Sequence, residues 1–217
     1  MPVPDTVFQP TLLDVGAEPS IDADLAGVRR RFLGAGAWVD WVPGWVHGAD
    51  ALFEAVMARA PWATHERSMY DAMVLEPRLT TGRWDDPPTP VPAMAAVLSA
   101  RYGLDLGVVS ANLYRGAADS VAWHGDRVGR DRATTVVAIV SLGSARRFLL
   151  RPAGGGPSVR FTPGHGDLLV LGGTCQRTFQ HCVPKQARAG ARISVMFREL
   201  ARDERRRPHA ARRKATR

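Results

Sequence analysis

The chain has 217 residues, of which 45% are hydrophobic and 23% are charged, and this is typical of one globular domain with extensions. No apolar run approaches the roughly 20 residues of a membrane-spanning helix, and the start MPVPDTVFQP lacks the pattern of a secretory signal. Two cysteines do not make a disulfide framework, so we expect a protein of the reducing cytoplasm.

The first half of the chain predicts two helices among strands and loops. Residues 1–35 are mixed and rich in Pro and Asp, and we assign them to an N-terminal extension. The segment AWVDWVPGWV predicts a strand broken at its Pro-Gly pair. Apolar residues at helical spacing in GADALFEAVMARAPW predict a helix that stops at Pro61. Residues 68–84 predict strand and loop with exposed aromatic residues, and a second helix is expected from about Val91 to Gly103.

The pattern changes between Val108 and Arg198, where short β-like runs alternate with Gly and Pro turns. The runs are VVSANLY, DSVAWHGD, TTVVAIVSLG, RRFLLR, SVRFT, DLLVLGG and RISVMFR. Strands at this spacing predict an antiparallel sandwich or barrel. The predicted fold class is therefore α+β, with helices first and a jelly-roll β domain after them, and residues 36–200 form one domain.

The C-terminal tail, residues 201–217, carries most of the net charge. It holds eight Lys or Arg and two acids, so it carries +6 of the net +8 and leaves the first 200 residues nearly balanced. Such a tail could add phosphate contacts on nucleic acid. A disordered, solubilising tail is the alternative interpretation.

The stretch WHGD holds two candidate metal ligands. Side chains alternate faces along a strand, so His124 and Asp126 share a face and Gly125 lies opposite. His181 follows the run DLLVLGG by a short segment and could supply a third ligand. Two histidines and a carboxylate form the facial triad of non-haem Fe(II) oxygenases, which leaves positions open for substrate and O₂. Because the H-x-D pattern alone is weak, a salt bridge beside a turn stays open.

The run RISVMFR alternates between a polar and an apolar face. We expect the apolar face to pack in the core between the sheets and the other face to place Arg192 and Arg198 inside a barrel. Unpaired charge there is costly, so both arginines need anions. A dicarboxylate such as 2-oxoglutarate would supply one carboxylate for each, and the same alternation adds Asn112 and Tyr114 as polar donors. Internal salt bridges are the alternative, although acids are few in this half of the chain.

Several segments together resemble the AlkB family of Fe(II)- and 2-oxoglutarate-dependent dioxygenases, which act on alkylated nucleic acid. They are NLYRGAADSVAWHGD, SLGSARRFLLR, GHGDLLVLGGTCQRTFQHCVPK and RISVMFR, and the match covers about residues 36–200. The resemblance implies a double-stranded β-helix core. It also implies that iron is bound by His124, Asp126 and His181. The distal carboxylate of 2-oxoglutarate would be held by Arg192 and Tyr114. The carboxylate beside its keto group would be held by Arg198 and Asn112.

The family reaction implied by the resemblance is oxidative demethylation of N-alkylated bases such as 1-methyladenine or 3-methylcytosine. It consumes O₂ and 2-oxoglutarate and releases succinate, CO₂ and formaldehyde. The segment EPRLT with a following Trp84 resembles the family's nucleotide-recognition lid. A base inside a duplex must be flipped out to react, unless the substrate is single-stranded. We expect Tyr70 and Trp84 to stack on this base, with Trp123 a weaker candidate. We expect Arg78 to contact phosphate or base.

One position departs from the family pattern. Many members have an acid two residues after the metal-binding aspartate, and here that position is Val128. The preference between adenine and cytosine therefore stays open. Two alternatives remain: a 2-oxoglutarate-dependent hydroxylase of a protein or small molecule, and a non-enzymatic nucleic-acid-binding module. We expect a monomer with nucleic acid as its partner.

Overall fold

The computed structural model of the chain describes residues 16–69, 72–126 and 132–199. Within these ranges the helices are α1 Ala49–Arg59, α2 Val91–Tyr102 and α3 Cys175–Thr178. The strands are β1 Ser20–Ile21, β2 Arg29–Gly34, β3 Ala37–Val42, β4 Val46–His47, β5 Ala63–Met69, β6 Ala72–Thr80, β7 Val108–Tyr114, β8 Val121–His124, β9 Val137–Gly143, β10 Phe148–Pro152, β11 Val159–Phe161, β12 Leu168–Gly173, β13 Phe179–Val183 and β14 Arg192–Arg198.

Two stacked antiparallel sheets form the jelly roll. The large sheet has eight strands in the order β2-β3-β12-β9-β14-β7-β6-β5, and the small sheet has four in the order β11-β10-β13-β8. Strands β1 and β4 pair separately. Side chains from both sheets form one apolar cluster between them, which includes Val39 and Ile139 of the large sheet and Leu150 of the small sheet. We call the space between the two sheets the barrel.

The strands in the middle of the large sheet are buried on both faces, which explains their nearly continuous apolar sequences. Every residue of β7 and β9 is buried. On β14, Ile193, Val195 and Phe197 join the main core with residues of α1 and α2. The prediction that this apolar face lies between the sheets is therefore wrong. The helices cover the outer face of the sheet and require an apolar surface there, and the polar face of β14 is turned into the barrel.

Both predicted helices are confirmed, and their ends have a local cause. Helix α1 runs to Arg59, two residues before Pro61. Helix α2 begins at Val91 and ends at Tyr102, and it is capped by Gly103, whose φ of 66° lies in the left-handed region and whose N–H donates to the Ser99 carbonyl. Glycine takes this conformation at little steric cost. None of the described helices is long and apolar enough to cross a membrane.

The segment AWVDWVPGWV forms strands β3 and β4 with a break at its Pro-Gly pair, as predicted. Strand β2, with the sequence RRRFLG, pairs with β3 at the edge of the large sheet and was not predicted. Its first four residues are exposed, so its sequence lacks the alternation of a half-buried strand. The C-terminal tail lies outside the described residues.

Candidate active site

The three predicted metal ligands come together at one end of the barrel. His124 is the last residue of β8, and its register partner on β13 is His181. The two imidazole rings have their centroids 4.3 Å apart. Asp126 follows two residues after His124, with its Oδ1 4.0 Å from His124 Nε2. One ligand atom from each of the three residues lies within 4.8 Å of the others.

Hydrogen bonding and burial leave both histidines ready to bind a cation. His124 Nδ1 lies 2.8 Å from the Ala122 carbonyl oxygen, which can only accept, so in the neutral tautomer Nδ1 carries the proton and Nε2 has the lone pair for a metal. His181 is 6% exposed, and its ring stacks on Phe148. Burial lowers the pKa of His181 to about 4, although the Asp126 carboxylate opposes this shift. The imidazole is therefore neutral at pH 7, as a metal ligand must be.

The donor set and its spacing fit a divalent transition metal. With bonds of about 2.1 Å, three ligand atoms on one face of an octahedral ion lie about 3 Å apart, so side-chain rotations that close the present separations of up to 4.8 Å would bring all three residues into one shell. Two imidazoles and one carboxylate are the donors of the facial triad, which suits Fe(II) and leaves coordination positions free. The alternative, a salt bridge between His124 and Asp126, is weakened because His124 Nε2 and Asp126 Oδ1 are 4.0 Å apart, which is longer than a hydrogen bond.

Arg192 provides the second feature of the site, a buried positive charge for which the described residues supply no counter-ion. It lies at the start of β14, is 1% exposed, and its Nη2 donates to Ser141 Oγ at 2.7 Å. Its Nε and Nη1 are buried and have no hydrogen-bond partner among the described residues. Burial lowers the pKa of Arg192 to about 10, so the group is still protonated at pH 7. Each of these free N–H groups can donate to a carboxylate oxygen, so Arg192 is suited to binding a carboxylate of 2-oxoglutarate.

The other predicted co-substrate residues line the same face of the sheet. Tyr114 is the register partner of Arg192, and the Arg192 guanidinium carbon lies 5.5 Å from the Tyr114 ring centroid. Arg198, at the other end of β14, donates through Nη2 to Ser110 Oγ at 3.2 Å. Asn112 lies between them, and its amide nitrogen is 3.4 Å from the sulfur of Met196. Arginines thus mark both ends of one polar row.

The predicted substrate residues are placed differently from one another. Arg78 lies on β6, on the face that Thr80 shares with its register partner Asn112. Its Nη2 is 2.9 Å from Glu76 Oε2, and its charge is close enough to contribute to the lowered pKa of His181. Tyr70 and Val128 lie outside the described residues.

The prediction that Trp84 stacks on a base is wrong. Trp84 is 6% exposed and belongs to the main core with residues of α1 and α2, on the face of the large sheet away from the barrel. Its backbone N–H donates to the Val109 carbonyl. A ring buried in that core has no free face for a base, so Trp84 is a structural residue. Trp123 is half-buried beneath the Arg151 guanidinium, whose carbon lies 4.2 Å from the ring centroid.

Two polar residues near the site were missed. Arg146 is 1% exposed and donates to the carbonyls of Gly116, Asp119 and Pro184. Gln176 is 5% exposed and accepts a hydrogen bond from the Asp126 backbone. Neither follows a periodic pattern, because Arg146 lies in a turn and Gln176 in a helix of four residues. The one sequence signal for Arg146 was that this half of the chain has few acids with which its arginines could pair.

Comparisons with known proteins agree with this site. Residues 48–206 match the model of the 2OG-Fe(II) oxygenase superfamily. The chain is 33% identical over 145 residues to the DNA oxidative demethylase ALKBH2 of Arabidopsis thaliana, covering 56% of this chain and 46% of that protein. It is 30% identical over 181 residues to the alpha-ketoglutarate-dependent dioxygenase alkB homolog 3 of Bos taurus, covering 72% and 63%. With the Homo sapiens protein of that name, identity is 29%, covering 91% and 75%.

Solved structures share the fold at low sequence identity. A 2OG-Fe(II) oxygenase family oxidoreductase from Burkholderia pseudomallei superimposes with a TM-score of 0.52 at 17% identity, covering 74% of this chain and 84% of that chain. The structure of OsALKBH1 gives a TM-score of 0.55 at 14% identity, covering 79% and 100%. The predicted jelly-roll fold is therefore confirmed.

Proposed function

The chain belongs to the 2OG-Fe(II) oxygenase superfamily and, within it, to the AlkB family, and we propose that it demethylates N-alkylated bases of DNA or RNA by oxidation. Two relatives named as a DNA oxidative demethylase and as an alkB homolog 3 dioxygenase support this reaction. The chain spans 46% and 63% of the length of these relatives. The cluster of His124, Asp126 and His181 in the same barrel as the unpaired donors of Arg192 carries the proposal.

Each part of the site has one task in this reaction. His124 and His181 would bind iron through neutral imidazoles, and Asp126 would bind it through a carboxylate oxygen. Arg192, with Tyr114 beside it, would hold the distal carboxylate of 2-oxoglutarate, and Arg198 with Asn112 would hold the other end. When bound, iron and 2-oxoglutarate would supply the oxidising chemistry with O₂, converting 2-oxoglutarate to succinate and CO₂ and the methyl group to formaldehyde.

The chain itself contributes orientation and a dry environment. Apolar side chains from both sheets, among them Ile139, Phe148 and Leu150, line the barrel and exclude water from the reacting groups. The register partners His124 and His181 fix two ligands on adjacent strands. A damaged base must leave the stack to reach this end of the barrel. Arg78 lies on the same side and is our candidate for contacting the base or a phosphate.

The first test follows the methyl group. The protein is incubated anaerobically with Fe(II) and 2-oxoglutarate, and air is then admitted with an oligonucleotide that carries 1-methyladenine or 3-methylcytosine. We expect mass spectrometry to show loss of one methyl group that depends on both iron and 2-oxoglutarate. Succinate formed without demethylation would instead indicate hydroxylation of a protein or small molecule. Oligonucleotide binding without turnover of 2-oxoglutarate would indicate a binding module.

Asp126→Ala tests the metal site directly. We expect this change to abolish turnover of 2-oxoglutarate, because the alanine removes the one carboxylate of the triad. Asp86→Ala is the matched control, since the Asp86 side chain is 94% exposed and pairs with Arg59 at the end of α1. Retained turnover in Asp126→Ala would overturn the assignment of the metal ligands.

The basic tail is proposed to increase affinity for nucleic acid without taking part in the chemistry. Deleting residues 201–217 removes a net charge of +6. We expect weaker oligonucleotide binding with a flatter dependence on salt, because fewer phosphates are neutralised, while turnover at saturating substrate persists. Binding titrations at two salt concentrations measure the change. Unaltered affinity and salt dependence would identify the tail as a solubilising segment.

We also propose that the protein acts as a monomer in the cytoplasm. The cysteines Cys175 and Cys182 are both free and buried, which agrees with a reducing compartment. Phe32 is the one large hydrophobic residue exposed in the described part of the chain, so no broad apolar surface there calls for a second subunit. Sedimentation of the purified protein checks the oligomeric state.

A further inference from the structure

Gln176 reaches the metal ligand Asp126 from the short helix α3. Asp126 lies two residues beyond the end of β8, outside the hydrogen-bonded ladder that fixes His124. Its backbone N–H donates instead to Gln176 Oε1 at 3.1 Å. A side chain 50 residues away therefore holds the backbone of the one ligand that the sheet does not hold.

The same amide leaves a second group without a partner. Gln176 is 5% exposed, and its Nε2 is buried without a hydrogen-bond partner among the described residues. The orientation of the amide is fixed, because the Asp126 N–H can only donate and must meet the carbonyl oxygen. The NH₂ group is thus the free one. Buried amide groups in folded proteins are nearly always paired, so this donor points to a missing acceptor.

Close packing around Gly125 keeps Gln176 beside Asp126. A Cβ atom placed on Gly125 would lie 3.1 Å from the backbone oxygen of Gln176 and 3.6 Å from that of Phe179. The first distance is tighter than ordinary van der Waals contact, so an added Cβ would require α3 to move by a few tenths of an ångström. The close approach of α3 therefore favours glycine between His124 and Asp126.

We propose that Gln176 is a positioning residue for the metal ligand Asp126. Its Oε1 fixes the Asp126 backbone. Its Nε2–H, which has no partner among the described residues, would bond the Asp126 carboxylate oxygen that the metal leaves free once this side chain turns toward the metal. Hydrogen bonds to the unligated atoms of a metal ligand orient that ligand and are worth about 10- to 100-fold in metal affinity. The inference rests on the proposed iron site, but it does not depend on which substrate the enzyme oxidises.

Gln176→Met tests the proposal because it keeps the length of the side chain and removes both hydrogen bonds. We expect the dissociation constants of Fe(II), measured by anaerobic equilibrium dialysis, and of Mn(II), measured by electron paramagnetic resonance of the free ion, to rise about 10- to 100-fold. Turnover of 2-oxoglutarate should recover when Fe(II) is added in excess, because the change weakens metal binding and leaves Arg192 and Arg198 in place.

Gln180→Met is the matched control. Gln180 precedes His181 on β13, but its amide oxygen accepts from Arg151 Nη2 at 3.2 Å on the outer face of the small sheet. The same chemical change beside the same site should leave metal affinity within about twofold of the original protein. Equal metal affinity in both variants would overturn the proposal. So would a loss of metal affinity in Gln176→Met that merely follows a lower unfolding temperature of the metal-free protein.

Gly125→Ala tests the contact from its other side and serves if Gln176→Met does not fold. The added methyl group should displace α3 and weaken Fe(II) binding in the same direction, by less than Gln176→Met. If both changes act through one contact, the double variant should bind Fe(II) within about twofold of Gln176→Met alone. Additive losses, or unchanged Fe(II) binding in Gly125→Ala, would contradict the proposal. Failure of demethylation with intact metal binding would count against the proposed function and not against this role.

Discussion

Arg146 and Arg192 are both 1% exposed, and their guanidinium carbons each lie 5.5 Å from the centroid of the Tyr114 ring. Among the described residues, the Arg146 guanidinium donates to three backbone carbonyls and has only its Nε unpaired. Within the same ranges Arg192 has one hydrogen-bond partner, Ser141, and both its Nε and its Nη1 are unpaired. Burial alone therefore does not distinguish a structural arginine from one that binds a ligand. The unpaired donors do.

The surroundings explain the difference. Arg146 lies in the turn before β10 and ties together the segments that follow β7 and β13, where irregular backbone leaves carbonyls without ladder partners. Arg192 lies inside a sheet whose backbone groups already pair on both sides with β7 and β9. Its free donors can only be satisfied by a side chain or by a ligand that enters the barrel. Three substitutions test this distinction, in order of decreasing effect.

Arg146→Met should cause the largest loss. It leaves the carbonyls of Asp119 and Pro184 without their Arg146 donor, while the Gly116 carbonyl still accepts from the Asp119 N–H. Each buried, unpaired polar group costs about 1–3 kcal/mol, so we expect the free energy of unfolding of the metal-free protein to fall by about 2–6 kcal/mol, measured by urea denaturation. Arg147→Met is the control, because Arg147 is exposed and should change stability by less than about 1 kcal/mol. Equal losses of stability in the two variants would show that Arg146 is not a structural arginine.

Arg192→Met should act on the ligand instead of the fold. A buried charge without a counter-ion is costly, so an apolar replacement should leave the stability of the ligand-free protein unchanged or increase it. The dissociation constant of 2-oxoglutarate should rise about 30- to 150-fold, since charge-assisted hydrogen bonds are worth about 2–3 kcal/mol. Anaerobic calorimetry with Mn(II) present measures this binding. Normal affinity for 2-oxoglutarate together with lower stability would make Arg192 structural.

Ser141→Ala should have the smallest effect. It removes the 2.7 Å hydrogen bond that orients Arg192 and leaves the guanidinium in place. We expect binding of 2-oxoglutarate to weaken about fivefold, which corresponds to the roughly 1 kcal/mol of an ordinary hydrogen bond. The same calorimetric titration detects this shift. An effect as large as that of Arg192→Met would mean that Ser141 contacts the ligand itself.

The parts of the site on regular strands could be predicted from the sequence. Alternation along RISVMFR placed Arg192 and Arg198 on one face of β14. Alternation in WHGD predicted His124 beside Asp126, and the two are close although Asp126 lies two residues past the end of β8. The third ligand needed more than periodicity, because only the pairing of β13 with β8 brings His181 to His124. The resemblance to a known family identified it.

The failures have common physical causes. Trp84 was expected to contact a base because it follows EPRLT. Its apolar ring is instead buried in the core beneath α2, where burial stabilises the fold. Local sequence does not show which way a tryptophan after a turn will point. Gln176 was missed because a helix of four residues has no periodic signal and its partner is 50 residues away. The exposed arginines of β2 likewise hid a strand at the edge of the sheet.

Strand β8 has four residues and lies at the edge of the small sheet, where its single neighbour is β13. Edge strands this short open most readily in native-state fluctuations. An ion bound by both His124 and His181 would cross-link β8 to β13, because separating the two strands would require releasing the ion. By mass action, each tenfold rise in free metal above its dissociation constant would suppress the opening by about 1.4 kcal/mol. Amide hydrogen exchange along β8 would then report the supply of iron, while exchange in β9 and β14 would not.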